Sequence, residues 1–499
     1  MQVSVQSDLE KRDHADAIVL PFWKGEKGVE AACELGKLKS KTRPPIKAKD
    51  FTAKEGEVVW IYGDEPEETR IALLGLGDKE SVTIERLRRS YGLCAKACLS
   101  KRVAVLSLAF PEIEMLSQET AVKAILEGIT LVNYSFDALK HDTLKKENST
   151  LIEKIILIGC EKHVGLEQAE HVEKISKGLY LARDLVNGNA DDITPKYLGE
   201  VARRLGKEYP SIKVDVHDRA WIEKQGMGLF LAVAKGSSHD PFFIVMKYTG
   251  NPNSRDHTVI VGKGITFDTG GLLLKPKGGI ETQKSDMSGA AVAFGIMKAV
   301  AELELPLNLS VVVATCENAI GSKAYKPGDV YKAYSGKTVE ITDTDAEGRL
   351  TLADALNWAS VQLKPSRMID FATLTGSMVV ALGTELFGLM SNSDSLAREL
   401  LHSGERTFER AWQFPLYDEY REQLKSDLAD MKNSAGREGG AILAGIFLQE
   451  FVQNTPWAHF DIAGVSYMKD ARRYLPKHAT GVGVRLIIDY LEHLIKKGV

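Results

Sequence analysis

Cysteine is scarce in this 499-residue chain: five residues, scattered at Cys33, Cys94, Cys98, Cys160 and Cys316. So sparse and odd a set excludes a disulfide-stapled fold and fits a reducing compartment. Cys94 and Cys98 fall on the apolar stripe of a helical pattern over Thr83–Leu99, with Ile84, Leu87 and Tyr91, and so read as buried packing residues rather than a metal pair. A long apolar run is missing too. The most hydrophobic segment, Asp370 to Glu385, is too short and too rich in Thr and Gly to cross a bilayer. The N-terminus, MQVSVQSDLEKRD, brings charge before any apolar stretch forms, so no signal peptide is expected. Neither sign of charge dominates: 64 Lys+Arg against 68 Asp+Glu leave a net charge of −4, without the basic surplus of a dedicated nucleic-acid binder. Brief basic clusters, Lys37–Arg43 and Arg86–Arg89, read as solvated faces. No internal repeat or low-complexity segment appears. A soluble cytoplasmic protein is expected.

Several catalytic signatures are absent as well. There are 11 histidines but no His-Glu-x-x-His, which excludes a zincin-type site. His459 lies in the apolar run Ala458–Val465 and reads as a core histidine. No G-x-S-x-G elbow occurs. Gly75-Leu-Gly77 has Glu80 where a dinucleotide fingerprint needs its third glycine, and Ser335-Gly336-Lys337-Thr338 has Tyr331 where a phosphate loop needs its first.

What the chain does have is ordinary globular composition, 26% charged and 44% hydrophobic, and a βα rhythm. In the first 160 residues, strands are expected at Ala17–Phe22, Val58–Tyr62, Arg70–Leu76, Arg102–Leu108 and Lys154–Ile158. Leu166–Val186 reads as one long helix ending at Asn187-Gly188-Asn189, and Thr194-Pro195 opens the next. Further strands are expected at Thr258–Val261, Ser310–Thr315, Val339–Thr342 and Met368–Thr373, with glycine-rich turns after them. The fold class is α/β in two domains: a smaller N-terminal α/β domain and a larger C-terminal one with a central, mostly parallel sheet covered by helices. The expected boundaries are 1–160, a linker helix at 161–187, and 188–499. Ligands in such sheets bind beyond the carboxyl ends of the strands.

Two segments there stand out. Val261-Gly-Lys263-Gly-Ile-Thr-Phe-Asp268-Thr-Gly-Gly271 continues through Lys275 to Lys284-Ser-Asp286, and Asp343-Thr-Asp345-Ala-Glu347-Gly-Arg349-Leu350 follows. Taken singly, each acidic pair reads as a solvated turn capping a helix, and each lysine as a surface cation. Together they gather five carboxylates where apolar strands end. Carboxylates sharing a pocket need cations, and two divalent metals would supply them, generating hydroxide and polarising a carbonyl.

These residues resemble the leucyl aminopeptidases, a hexameric dizinc family of cytosolic metallo-exopeptidases. Positions 343–350 match N-T-D-A-E-G-R-L at seven of eight places, and Lys263, Asp268, Lys275 and Asp286 fall at the family's spacing. Asp184-Leu-Val-Asn187, Ala372-Thr-Leu-Thr-Gly376, Asp430-Met-Lys-Asn433 and His459-Phe-Asp-Ile-Ala-Gly464 match as well. The resemblance implies that Asp268 and Glu347 bridge two metals, that Lys263 and Asp286 complete the tighter site, and that Asp345 completes the exchangeable one. It implies Lys263 as a neutral amine ligand, Lys275 as the oxyanion stabiliser, and Arg349 as holder of a bicarbonate that relays protons. Zn²⁺ is the implied occupant, and the carboxylate ligands also suit Mn²⁺ or Mg²⁺. Peptide substrates with a free α-amino group and a homo-hexamer with inward-facing sites are implied; DNA binding, known in some members, is disfavoured by the net charge. Thr373, Gly376 and Ala463 would line the first-residue pocket with Gln283 and Ser466, which stand where many members have methionine and make it more polar. Asp343 stands in place of asparagine, and its extra charge is expected to be protonated, paired with a cation, or used to retain metal.

Overall fold

Runs of β-branched and aliphatic residues bounded by glycine build two sheets. The computed structural model describes residues 1–63, 65–142 and 150–498. These divide into two units: Met1–Ser176 with Asp470–Lys477, and Lys177–Lys469 with His478–Val499. The division falls inside the long helix Lys162–Asn187.

In the first unit, the strand order is Gln2–Gln6, Lys154–Ile158, Val105–Ala109, Ala17–Gly25, Arg70–Asp78, Val58–Tyr62. All neighbours but the last pair are parallel. Ala17–Gly25 reads AIVLPFW and is buried on both faces, as a central parallel strand must be. Helix Ile84–Ser100 starts at Thr83, whose hydroxyl accepts the Arg86 amide, and it buries Cys94 and Cys98 as expected; all five cysteines are free thiols. The arginines of the Arg86–Arg89 cluster are not a free basic face. Arg86 and Arg89 pair with Glu55, and buried Arg88 lies between Glu85 and Glu127. Tyr474, from the Asp470–Lys477 excursion, donates its hydroxyl to Glu85 at 2.9 Å.

The second unit is built on an eight-stranded sheet in the order Ala411–Gln413, Phe387–Ser391, Trp457–Asp461, Arg367–Ala372, His257–Asp268, Asn308–Asn318, Phe242–Thr249, Ile212–His217. The middle four strands are mutually parallel and the flanks are mixed. Helix Gly348–Leu363 shares a core with Val259, Val261, Met368 and Trp457. Helix Ser288–Leu303 is buried along nearly its whole length and also packs on the sheet. A Cβ on Gly289 would sit 2.0 Å from the Phe371 carbonyl oxygen, so only glycine lets this helix start so close to the strand ends.

The expected strand at Val339–Thr342 is shorter, Thr338–Glu340, and belongs to a small separate sheet with Val330–Lys332 and Met431–Lys432. Thr342 leaves the ladder because its amide is taken by the Asn433 side chain. Helix Pro195–Glu208 begins where Thr194-Pro195 predicted, with Thr194 as its cap. No helix among the described residues is long and apolar enough to cross a membrane.

Candidate metal centre

The four parallel strands of the second unit run the same way, and the chemistry-bearing residues gather toward and beyond their carboxyl ends. Lys263 and Asp268 are on strand His257–Asp268 itself. Asp286 closes the short 3₁₀ turn Ile280–Ser285 before helix Ser288–Leu303. Asp345 and Glu347 lie in the turn leading into helix Gly348–Leu363, with Glu347 at its N-cap.

Asp268, Asp286 and Glu347 are buried, and one oxygen from each lies within 4.8 Å of the others. Lys263, 2% exposed, points its ammonium between Asp286 Oδ1 and Glu347 Oε1, 2.8 Å from each, and also donates to the Thr373 carbonyl at 2.8 Å. Gly348 makes room for it: a Cβ there would meet Lys263 Cε at 2.4 Å. Lys275 Nζ lies 2.7 Å from Asp268 Oδ2 and 2.5 Å from Asp345 Oδ1. All of the seven residues expected to form the centre except Arg349 are therefore joined by direct contacts.

The electrostatics follow from burying three carboxylates, with partly exposed Asp345 beside them, against two ammonium groups. Burial and the neighbouring Glu347 push Asp268 up to about 7, and burial raises Asp286 well above the usual carboxylate value. Burial alone would raise Glu347 too, but Lys263 and Lys275 carry it below its ordinary value. For both lysines, burial favours the neutral amine. The surrounding carboxylates outweigh it, led by Asp286 for Lys263 and Asp268 for Lys275, and hold both above the usual lysine range. Lys263 is thus an ammonium in the metal-free cluster; as a ligand it would have to give up that proton. By formal count the carboxylates outnumber the ammonium groups, and two buried oxygens, Asp286 Oδ2 and Glu347 Oε2, have no hydrogen-bond partner among the described residues. Orphaned hard oxygens in an acid-rich, buried cluster fit divalent cations.

Arg349, in the first turn of its helix and 7% exposed, donates from Nη1 to the Asn433 carbonyl at 2.8 Å, while its Nε has no partner among the described residues. Burial lowers its guanidinium from the ordinary value, against the pull of Asp343, Glu347 and Asp461. Asp343 accepts the Asp345 amide on Oδ1 at 2.9 Å, a bond that the amide oxygen of an asparagine would make equally well. The extra charge here lies within the field of Arg349.

Of the expected pocket residues, Thr373 touches the cluster directly: its hydroxyl donates to Asp286 Oδ1 at 2.6 Å. Gly376 opens helix Gly376–Leu382 and faces open space, and the Ala463 amide bonds Asp461 Oδ1 at 3.2 Å. Gln283 donates its amide to the Gly279 carbonyl at 2.8 Å. Ser466 is buried, and its carbonyl accepts from Thr480.

Sequence reasoning gave no role to three buried residues, of which Asn318 braces a candidate ligand directly. Asn318, fully buried at the end of its strand, donates Nδ2 to Asp268 Oδ1 at 2.7 Å and to the Thr344 carbonyl at 3.0 Å. Asn433 accepts the amides of Thr342 and Asp343 and donates to the Asp343 carbonyl. Asp370 accepts His459 Nδ1 at 2.6 Å and Trp457 Nε1 at 2.7 Å. His459 is the expected core histidine, though its Nε2 has no partner among the described residues. For Asn318 the available signal was an amide closing an apolar strand.

Comparison with known proteins bears on this geometry. Residues 180–488 match the cytosol aminopeptidase family, catalytic domain, and residues 19–143 match the N-terminal domain of the same family. A protein of Protochlamydia amoebophila named "probable cytosol aminopeptidase" is 51% identical over 495 residues, covering 99% of both chains. One of Chlamydia caviae with the same name is 43% identical over 497 residues, again covering 99% of each. Among solved structures, a mutant of tomato leucine aminopeptidase superposes with a TM-score of 0.87 at 30% identity, covering 99% of this chain and 96% of that one. The bottromycin maturation enzyme BotP in complex with Mn gives a TM-score of 0.84 at 30% identity, covering 96% and 99%.

Proposed function

The chain belongs to the cytosol aminopeptidase family and is a metal-dependent aminopeptidase, and from that premise we propose how its own residues carry the reaction. Asp268, Asp286, Asp345, Glu347 and Lys263 hold two divalent ions, Zn²⁺ by resemblance, with Mn²⁺ or Mg²⁺ also suited to the oxygen-rich set. Such a pair, when bound, supplies hydroxide near neutral pH and polarises the scissile carbonyl. The observation that carries this reading is the buried convergence of Asp268, Asp286 and Glu347 with two orphaned oxygens.

Lys275 keeps its proton among the carboxylates and places a fixed positive charge where the oxyanion of the tetrahedral intermediate forms. Arg349, whose Nε has no partner among the described residues at the start of its helix, would hold a bicarbonate, which would supply a proton relay; a helix N-terminus favours an anion. Thr373, Gly376, Ala463, Gln283 and Ser466 receive the first side chain of a peptide, and the amide of Gln283 with the hydroxyl of Ser466 widens the preference beyond leucine. The protein works in the cytoplasm as a homo-hexamer on short peptides.

The test is release of free amino acid from a dipeptide panel before chelation, after chelation and after return of Zn²⁺, Mn²⁺ or Mg²⁺. Dipeptides with a free amino group should be cleaved and N-acetylated ones should not, with activity lost to chelator and restored by metal. Full activity in metal-stripped protein would refute the reading. Sedimentation of the active species tests the hexamer.

A further inference from the structure

Asp461 is fully buried at the last position of strand Trp457–Asp461, opposite Ala372 in the parallel register. Just past this point two neighbouring strands leave the ladder, and their amides need new partners. Asp461 supplies them: Oδ1 accepts the Leu374 amide at 3.1 Å and the Ala463 amide at 3.2 Å, and Oδ2 accepts the Thr375 hydroxyl at 2.7 Å. The segment so held is the one whose Thr373 carbonyl receives Lys263 Nζ and whose Thr373 hydroxyl bonds Asp286 Oδ1. Thr375 also accepts the Met378 amide at 3.1 Å, fixing the start of the helix that Gly376 opens.

We propose that Asp461 is a positioning residue for the metal centre: one carboxylate ties Leu374, Thr375 and Ala463 together, and through Thr373 it fixes where Lys263 and Asp286 present their donor atoms. The inference rests on the reading of Lys263 and Asp286 as ligands. Because Oδ1 receives both backbone amides, Asp461→Asn keeps those bonds on its amide oxygen and turns its nitrogen toward the Thr375 hydroxyl. Asp461→Ala loses all three.

The experiment titrates Mn²⁺ into chelator-stripped full-length protein by calorimetry, alongside melting in chelator and kcat and KM on leucine and alanine amides. Asp461→Ala should bind Mn²⁺ about tenfold or more weakly, as expected for loss of bonds to a charged acceptor, and should lose kcat. Asp461→Asn should stay within about threefold of wild type, since it keeps the geometry. Should Asp461→Ala fail to fold, Thr375→Val, which removes the Oδ2 partner together with the cap on the Met378 amide, should weaken Mn²⁺ binding while Thr375→Ser, which keeps both bonds, restores it. Wild-type binding in Asp461→Ala or Thr375→Val overturns the proposal, as does an Asp461→Asn variant as impaired as alanine, because charge rather than position would then be at work. A wild-type protein that neither takes up Mn²⁺ nor releases amino acid overturns the functional reading itself, and this inference with it.

Discussion

Replacing Lys263 by methionine keeps the side chain's length and close to its volume while deleting its charge. In the folded chain that charge has three acceptors at 2.8 Å: Asp286 Oδ1, Glu347 Oε1 and the Thr373 carbonyl. Its removal leaves two buried carboxylates facing each other with Lys275 as the remaining cation of the cluster. Breaking a buried pair by removing one partner costs about 3–5 kcal/mol. The second unit has roughly 300 residues, and an unfolding entropy of ~2.1 cal/mol/K per residue gives about 0.6 kcal/mol per degree. Lys263→Met should therefore lower the melting temperature of that unit by about 5–8 °C in chelator at neutral pH. Calorimetry in chelator, repeated with excess Mn²⁺, measures it. The added ion should recover part of the deficit, since it brings positive charge to the same oxygens. A variant melting within about 1 °C of wild type in chelator would refute the reasoning, because the carboxylates would then not depend on this ammonium.

Asn318→Ala should weaken divalent-metal binding and cost about 1–3 kcal/mol in chelator melts, since it strips a donor from buried Asp268 and leaves the Thr344 carbonyl with the Tyr325 hydroxyl alone; unchanged Mn²⁺ affinity by calorimetry would count against this. For His459, burial alone would favour the neutral ring, but Asp370 raises it above the usual histidine value, with Asp461 adding to the effect and Arg349 opposing it. The sign follows: the pair's stabilisation is complete below about pH 6.5 and fades as pH rises through the raised folded value. Asp370→Asn should flatten the decline of stability above neutrality, and chemical denaturation across pH 6–9 would show whether it does. On a panel of Leu, Met, Ala and Arg amides, leucine should hold no strong lead in kcat/KM; a lead over all the others of more than about 200-fold, the upper end for one methylene in a pocket, would show that Gln283 and Ser466 do not widen the preference.

The central strands were legible because they are buried on both faces and read as unbroken apolar runs, as Ala17–Gly25 and Asn308–Asn318 do. The edge strand Ile212–His217 was not, because Lys213, Asp215 and His217 break its apolar run; Phe387–Ser391, though buried, was also not picked out. Strand Trp457–Asp461 was hidden for a different reason: it carries His459 and Asp461 into the core, and charge inside an apolar run masks a strand. The metal-centre residues were legible through their spacing around glycines. What joins them was not. Asn318 lies 50 positions from Asp268, and Asn433 lies 90 from Asp343, and no local pattern connects residues that meet only once the strands align.

Long-range bracing bears on how these carboxylates would serve as the proposed ligands. Each buried acid spends one oxygen on the frame. Asp268 gives Oδ1 to the Gly270 amide and Asn318, and Asp286 gives Oδ1 to Thr373 and Lys263. Glu347 gives Oε1 to Lys263. The opposite oxygens of Asp286 and Glu347 are left without partners, and that of Asp268 meets Lys275. A carboxylate pinned on one side cannot rotate freely to satisfy its other oxygen, so the unmet demand is built in by Lys263 and Thr373 at Asp286 and by Lys263 at Glu347. The orphaned oxygens are thus a consequence of the bracing, and a change that loosens it, at Asn318 or Asp461, should let the acids turn toward their own lysines and lower the affinity for added cations without removing a single donor atom.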